Sequence, residues 1–295
     1  MKKDMIELQA LVGQGLAKRW GTDNREASER IKEELAVIEA VGCADYFLMV
    51  AKLVEAIRSA GGLVGPGRGV SGGSAVCYAL GITGVDPLKH GLIFERFLHR
   101  RLKHARSILI DVDEVGEIVG RRYLEERFAC TYETRKLNVA PQYVMVEGGW
   151  EIGLTRIAEL DRIAEVMRHI KAAGKEVPDL EALSDGCDPC VAESGEFRYD
   201  EDLMLVAQKE AKLDAETSDA FRKAVCKALR DRAEGYRHLF AAGRWEQMWE
   251  AANGLLPKAH CVCQARLYSQ MAYLKCHYPL EWDRCEIQQN GGTER

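Results

Sequence analysis

What this chain lacks narrows its class before any motif is read. Its 295 residues contain no uninterrupted run of about 18 apolar residues, so no membrane-spanning helix is expected. The N-terminus is charged (Met1-Lys2-Lys3-Asp4) with no apolar segment behind it, so no secretory signal is expected either. The ten cysteines then read as reduced thiols of a cytoplasmic protein. Positive charge is not in excess: 41 Lys and Arg against 46 Asp and Glu give −5, so any nucleic-acid surface has to be local. No internal repeat is found, which removes solenoids and propellers. What is present is an apolar fraction of 47%, enough for one large core or two modest ones.

Apolar residues at three- and four-residue steps predict three helices in the first sixty residues. Ile6, Leu8, Leu11, Val12 and Leu16 stripe the first, which ends near Gly21. Ile31, Leu35 and Ile38 stripe the second, from Asn24 or Arg25 to Gly42. Phe47, Leu48, Leu53, Val54 and Ile57 stripe the third, from about Ala44 to Ala60, with Gly61-Gly62 as its stop. Leu63-Val64 reads as a short strand, Ser74 to Leu80 as a short buried helix, and Gly84-Val85-Asp86-Pro87 as a turn. Ser107 to Asp113 is the best strand, and its alternation sends Asp111 and Asp113 to one face and Ile110 and Val112 to the other. Glu117 to Phe128 reads as a helix and Gln142 to Val146 as a strand. From Leu154 onward helices are predicted at roughly 154–174, 199–213, 216–241, 245–253 and 259–277, with a loop from Ser184 to Ser194. The fold class is therefore α+β, with a mixed domain over 1–153, a helical domain over 154–287 and a disordered tail over 288–295.

The chemistry is concentrated in two stretches. Gly65-Pro66-Gly67-Arg68-Gly69-Val70-Ser71-Gly72-Gly73-Ser74 is a Gly-rich turn with a cation inside it, entering a helix, and Asp111-Val112-Asp113 follows about forty residues later. A Gly-rich loop alone is more often a tight turn, and Asp-x-Asp at a strand end is more often a solvated one. Together they describe nucleotidyl transfer, in which amides and Arg68 hold a triphosphate and the paired carboxylates hold divalent metal. Arg96, Arg100, Arg101, Lys103 and Arg106 crowd the approach to the Asp strand, either as a solvated face or as a local attraction for DNA or triphosphate. Lys223, Lys227, Lys258 and Arg266 would extend that surface. His260 reads at least as well as a helix-packing residue. Cys187-Asp188-Pro189-Cys190 is half a zinc ligand set, which His260, Cys261 and Cys263 would have to complete; the alternative is a loop with two free thiols.

At this point the residues resemble a family. Gly65 to Gly69, Gly73-Ser74, Tyr78-Ala79-Leu80-Gly81-Ile82-Thr83, Asp86-Pro87-Leu88 and Phe94-Glu95-Arg96-Phe97-Leu98 are similar to the palm of bacterial C-family replicative polymerases, the DNA polymerase III α subunits. Glu34 to Ile38 and Ala44 to Leu48 resemble the helices leading into that palm. Tyr199 to Asp202, Arg222 to Lys227, Lys258-Ala259-His260 and His277-Tyr278-Pro279-Leu280-Glu281 resemble blocks of its fingers, in the same order.

The resemblance implies a polymerase β-like nucleotidyltransferase palm joined to a shortened, mostly helical fingers-like region. It also implies template-directed DNA synthesis, in which a primer 3′-hydroxyl attacks a dNTP with two Mg²⁺ ions as cofactors. Asp111 and Asp113 would bridge the ions, and Glu151 would be the third carboxylate, because Trp150-Glu151-Ile152-Gly153-Leu154 resembles the family's F-D-x-L-G-L. Arg68, Gly73, Ser74, Arg222 and Lys227 would bind nucleotide, and Arg100, Arg101, Lys103, Arg106 and Lys258 would bind DNA. Implied partners are primer-template DNA, dNTPs and other replisome subunits, with no membrane. The sequence departs from the family in a short stretch between Asp113 and Gln142, a gap between Pro189 and Gly195, Val70 where Ser is usual, and Glu151 where Asp is usual. It is also expected to lack the family's N-terminal metallohydrolase-like domain and its C-terminal clamp-binding and OB-fold modules. The shortened stretch after Asp113, where the family has its thumb, and Glu151 favour a rival from another class, a non-catalytic DNA-binding or assembly relic, while the retained Asp pair and Gly73-Ser74 disfavour it. A third reading is a nucleotidyltransferase acting on a small nucleotide acceptor.

Overall fold

The apolar stripes place the first three helices where periodicity predicts them: α1 (Lys3–Trp20), α2 (Arg25–Val41) and α3 (Ala44–Ser59). Asn24 caps α2, its Oδ1 accepting from Ala27 N at 2.9 Å. Gly42, at φ +77°, ends α2 with its N–H on the carbonyls of Ile38 and Glu39. This is a computed structural model, and it describes residues 3–134, 142–146, 149–183 and 196–290.

One four-stranded sheet sits against these helices: β1 (Ile108–Val112), β2 (Cys130–Thr134), β3 (Gln142–Val146) and β4 (Trp150–Arg156), in the order β1-β4-β3-β2. β1 and β4 run parallel, with Ile108 opposite Ile152 and Asp111 opposite Thr155; the other pairs are antiparallel. The free edge of β1 is bordered by Leu63–Gly65, as a Val64–Val112 bridge and a 2.8 Å bond from Gly65 N to Asp111 O. The short strand expected at Leu63-Val64 is thus present as an edge bridge. α4 (Ala75–Ala79) follows a 3-10 turn at Ser71–Gly73, and α5 (Glu114–Arg127) leaves the end of β1.

The helical part is α6 (Ala158–Ala172), α7 (Asp200–Ala211), α8 (Ala215–Cys226), α9 (Arg230–Arg237), α10 (Ala242–Ala251), α11 (Lys258–His277) and α12 (Pro279–Asn290). Several expectations are corrected here. Leu154 does not open a helix: it lies in β4, where Ile152 and Leu154 face the core and β1 supplies a parallel partner from more than forty residues upstream. The single helix expected over 216–241 breaks after α8, where Ala228 takes φ +49°. α12 carries helix through Asn290, into the start of the stretch expected to be a disordered tail; residues 291–295 lie outside the described residues.

Among the described residues four apolar clusters form, a small one joining Val85 and Leu92 to Ala259, Val262 and Cys263 of α11, and three larger ones. Leu8, Phe47, Leu53, Phe97, Ile108 and Leu154 belong to the one around the sheet. Leu203, Phe221, Val225, Trp245 and Met248 close a second within α7–α10. Leu160, Ile163, Leu267, Leu274 and Trp282 join α6, α11 and α12. The architecture is α+β and mainly helical, and among the described residues no helix is long and apolar enough to cross a membrane.

Candidate functional site

Ile108, Ile110 and Val112 are buried in the sheet core, so Leu109 and Asp111 take the opposite face of β1, with Ser107 before them and Asp113 after. Asp111 is 2% exposed, and Arg68 Nη1 lies 3.3 Å from its Oδ1. Burial pushes the Asp111 pKa up to about 6 against the pull of Arg68, and the Glu159 carboxylate adds to the rise. Asp113 is equally buried but has a backbone role: its Oδ1 accepts from Gly116 N at 2.8 Å and Leu63 N at 2.9 Å, capping α5 and pinning the edge segment. The paired aspartates therefore stand at one end of β1, beside the Gly-rich turn.

Glu151 does not join them. Thr155 is the β4 residue level with Asp111, so Glu151 lies four positions away, about 13 Å along the strand at ~3.3 Å per residue. There its Oε1 accepts from Ser107 Oγ, and its carbonyl accepts from Tyr46 Oη at 2.8 Å. The carboxylate whose charge reaches Asp111 is instead Glu159, in the first turn of α6. Sequence reading missed it, although an acid just past a strand, opening the next helix, was its visible signal.

Catalytic Mg²⁺ pairs lie about 3.5–4 Å apart, so a carboxylate ~13 Å along a strand reaches neither ion. One oxygen of Asp113 is committed to two amides, and Arg68 faces Asp111. Among the described residues, no three His, Cys, Asp or Glu side chains converge to hold a metal. The set Asp111, Asp113 and Glu151 does not fit a two-ion centre.

The Gly-rich turn has its own occupant. Ser74 caps α4, accepting from Cys77 N at 3.1 Å and donating to Glu34 Oε2 at 2.7 Å. Ala75 N and Val76 N donate to the same carboxylate at 2.9 and 3.0 Å, and Arg30 Nε pairs with it at 2.7 Å. The amides that open α4, just past the Gly-rich run, hold Glu34, which is fully buried, while those of Gly73 and Ser74 donate to the carbonyls of Val70 and Ser71. Gly73 is packed too: a Cβ there would lie 2.8 Å from Ile93 O, and its carbonyl accepts from Arg30 Nη2 at 3.0 Å. His260 sits on the turn, its Nδ1 accepting from Gly69 N at 3.4 Å, and burial and Arg68 push its pKa down. Cys263 is buried against Gly67 and Gly72. Cys187 and Cys190 lie outside the described residues.

Most of the cations expected on nucleotide or DNA have internal partners. Arg222 is 3% exposed and bonds Asp200 Oδ2 at 3.0 Å and Asp219 Oδ1 at 2.8 Å. Arg96 grips Asp200 with two bonds, at 3.2 and 2.8 Å, and Arg106 Nη2 meets Asp219 Oδ2 at 2.5 Å. Arg101 pairs with Asp214 and Glu216, and Arg100 donates its backbone N–H to Glu216. This charged seam docks residues 96–106 onto α7 and α8. Lys103 and Lys227 are exposed, and Lys258 is half-buried at the start of α11, where its backbone N–H donates to Glu201 Oε2 at 2.7 Å.

Burial and the neighbouring Asp200 push the Glu201 pKa up to about 8. The unfolded chain loses that proton near pH 4.3, so the folded state holds more protons between about 4.3 and 8 and stability falls as pH rises through that window. Glu201→Gln keeps both a donor and an acceptor and removes the titration. Urea midpoints of the variant are expected to fall less between pH 5 and 8.5 than those of the wild type; parallel slopes would refute the assignment.

Comparison with known proteins finds matches that fall mainly in the front half of the chain. Residues 6–140 match the model of the bacterial DNA polymerase III alpha NTPase domain. DNA polymerase III subunit alpha of Mycobacterium tuberculosis (strain H37Rv) is 49% identical over 102 residues, 34% of this chain and 8% of that protein. The same subunit of Streptococcus pyogenes serotype M1 is 38% identical over 129 residues, 44% of this chain and 12% of that protein. An error-prone DNA polymerase of Anaeromyxobacter dehalogenans (strain 2CP-C) is 33% identical over 182 residues, 60% of this chain and 16% of that protein. The chain thus spans less than a fifth of the length of these curated relatives. Over residues 6–140, therefore, this chain is similar to the NTPase domain of bacterial DNA polymerase III alpha subunits.

Proposed function

We propose that this chain is a non-catalytic member of that family, a palm-like scaffold with a reduced fingers-like region that binds primed DNA without extending it. The palm-like reading rests on the Gly-rich turn and the Asp111/Asp113 strand end lying side by side; the fingers-like reading rests on helices α7–α11. The single observation that carries the non-catalytic reading is the β1–β4 register, which separates Glu151 from Asp111 by four residues. Among the cations singled out above, the exposed Arg100, Lys103, Lys223 and Lys227 are left for DNA, and they supply a weak, salt-sensitive attraction to phosphates.

A second reading, template-directed synthesis by a minimal polymerase, is favoured by the buried Asp111/Asp113 pair beside Arg68. One experiment separates the two. Primer extension with Mg²⁺ and dNTPs is run on the chain beside an Asp111→Asn/Asp113→Asn double variant, with fluorescence anisotropy of labelled primer-template in parallel. The expected result is no extension by either protein, and DNA binding that survives EDTA and weakens steeply with salt. Mg²⁺-dependent extension lost in the double variant would establish the polymerase instead.

A further inference from the structure

We propose that Leu109, together with the Asp113 and Arg68 contacts described above, keeps the carboxylates of β1 from collecting a divalent cation, so that this end of the strand is one side chain away from a metal site. The inference rests on the non-catalytic reading and gives it a residue-level cause. Leu109 lies on the carboxylate face of β1, midway between the Ser107–Glu151 contact and Asp111. Its backbone bridges to Arg68 of the Gly-rich turn. Its side chain fills the space around it: a Cβ at Gly69 would lie 3.3 Å from Leu109 Cδ1, and one at Gly153 would collide with Cδ2. The isobutyl group is thus wedged between the turn, β1 and β4.

Two consequences follow from its chemistry. A hydrocarbon offers no lone pair, and by filling the space between the turn and the two strands it excludes the waters that a small hard cation such as Mg²⁺ retains when bound. It also divides the local acids, leaving Asp111 facing Arg68 at 3.3 Å and Glu151 facing Ser107. Leucine and aspartate share one branching pattern: the two Cδ methyls stand where the two Oδ atoms would be. Leu109→Asp therefore places carboxylate oxygens in the wedge without adding volume, and lines up three acids at i, i+2 and i+4 on one strand face.

The test is Mn²⁺ titration by calorimetry of the whole chain as wild type, Leu109→Asp and Leu109→Asn, the last being the uncharged isostere. Leu109→Asp is expected to bind Mn²⁺ at least ~10-fold more tightly than either of the others. If Leu109→Asp is poorly folded without metal, its melting temperature is followed with and without Mn²⁺; a metal-dependent rise absent from Leu109→Asn supports the same conclusion. Leu109→Asp that binds no better than Leu109→Asn, with no metal-dependent rise, overturns the wedge and leaves the non-catalytic reading standing. Tight Mn²⁺ binding by the wild type, lost in Asp111→Asn, would overturn both.

Discussion

Glu34→Ala is expected to lower stability by about 3–5 kcal/mol, the usual cost of removing one partner from a buried charged pair. Four donors converge on this carboxylate: Arg30 Nε and Ala75 N on Oε1, Ser74 Oγ and Val76 N on Oε2. Burial pushes its pKa up, while Arg30 and the two amides pull it back. Every one of those bonds comes from a donor, so the ionised form is the one its surroundings are built for. Without it, the first amides of α4 and the Arg30 guanidinium lose their partner in a dry interior, and the Gly-rich turn loses its anchor to α2. Glu34→Gln is expected to be little better, because the new amide would turn a donor toward Val76 N or Ala75 N. Chemical denaturation measures both. A loss under about 1 kcal/mol for Glu34→Ala would mean that water takes the carboxylate's place and that the turn is held by something else.

Glu34 also marks the limit of what this sequence makes legible. Its place in the core can be read: it falls beside Ile31, Leu35 and Ile38 on the buried stripe of α2. Its four partners cannot, because three of them lie about forty residues downstream. The same division runs through the chain. α1–α3, with the Asn24 cap and the Gly42 stop, are local events, and so is the alternation that puts Asp111 on one face and Ile110 on the other. β4 is non-local: Ile152-Gly153-Leu154 runs straight into the apolar periodicity of α6, and only pairing with β1 turns it into a strand. That register decides where Glu151 stands, so the separation of the acids was invisible to any reading of motif spacing. The cluster at Arg96–Arg106 illustrates the point for charge. The sequence shows five cations in eleven residues; whether they face solvent or Asp200 and Asp219 depends on how α7 and α8 fold back.

That seam supports the second large prediction, the loss of Asp219. Its carboxylate takes Arg222 and Arg106 at 2.8 and 2.5 Å, with His99 Nε2 at 3.6 Å. Burial alone would raise its pKa; the nearby His99 ring and the charges of Arg222 and Arg106 outweigh that and hold it well below the usual carboxylate range. An acid with a lowered folded pKa stabilises fully above its unfolded value, about 3.9 for Asp, and loses that contribution only as pH falls through the folded value. At neutral pH the whole effect is present. Asp219→Ala leaves the buried Arg222 guanidinium with Asp200 alone and takes the Asp219 counter-charge from the half-buried Arg106, at a cost of about 3–5 kcal/mol. The damage is expected to be directional, because α7–α10 has its own apolar core and meets residues 96–106 through this seam. Amides of α8 should exchange faster than those of α3, whose side chains pack in the core around the sheet. Equal acceleration in α3 and α8 would mean that the seam does not hold the α7–α10 pack separately, and unchanged exchange in both would mean that its charges contribute little to docking.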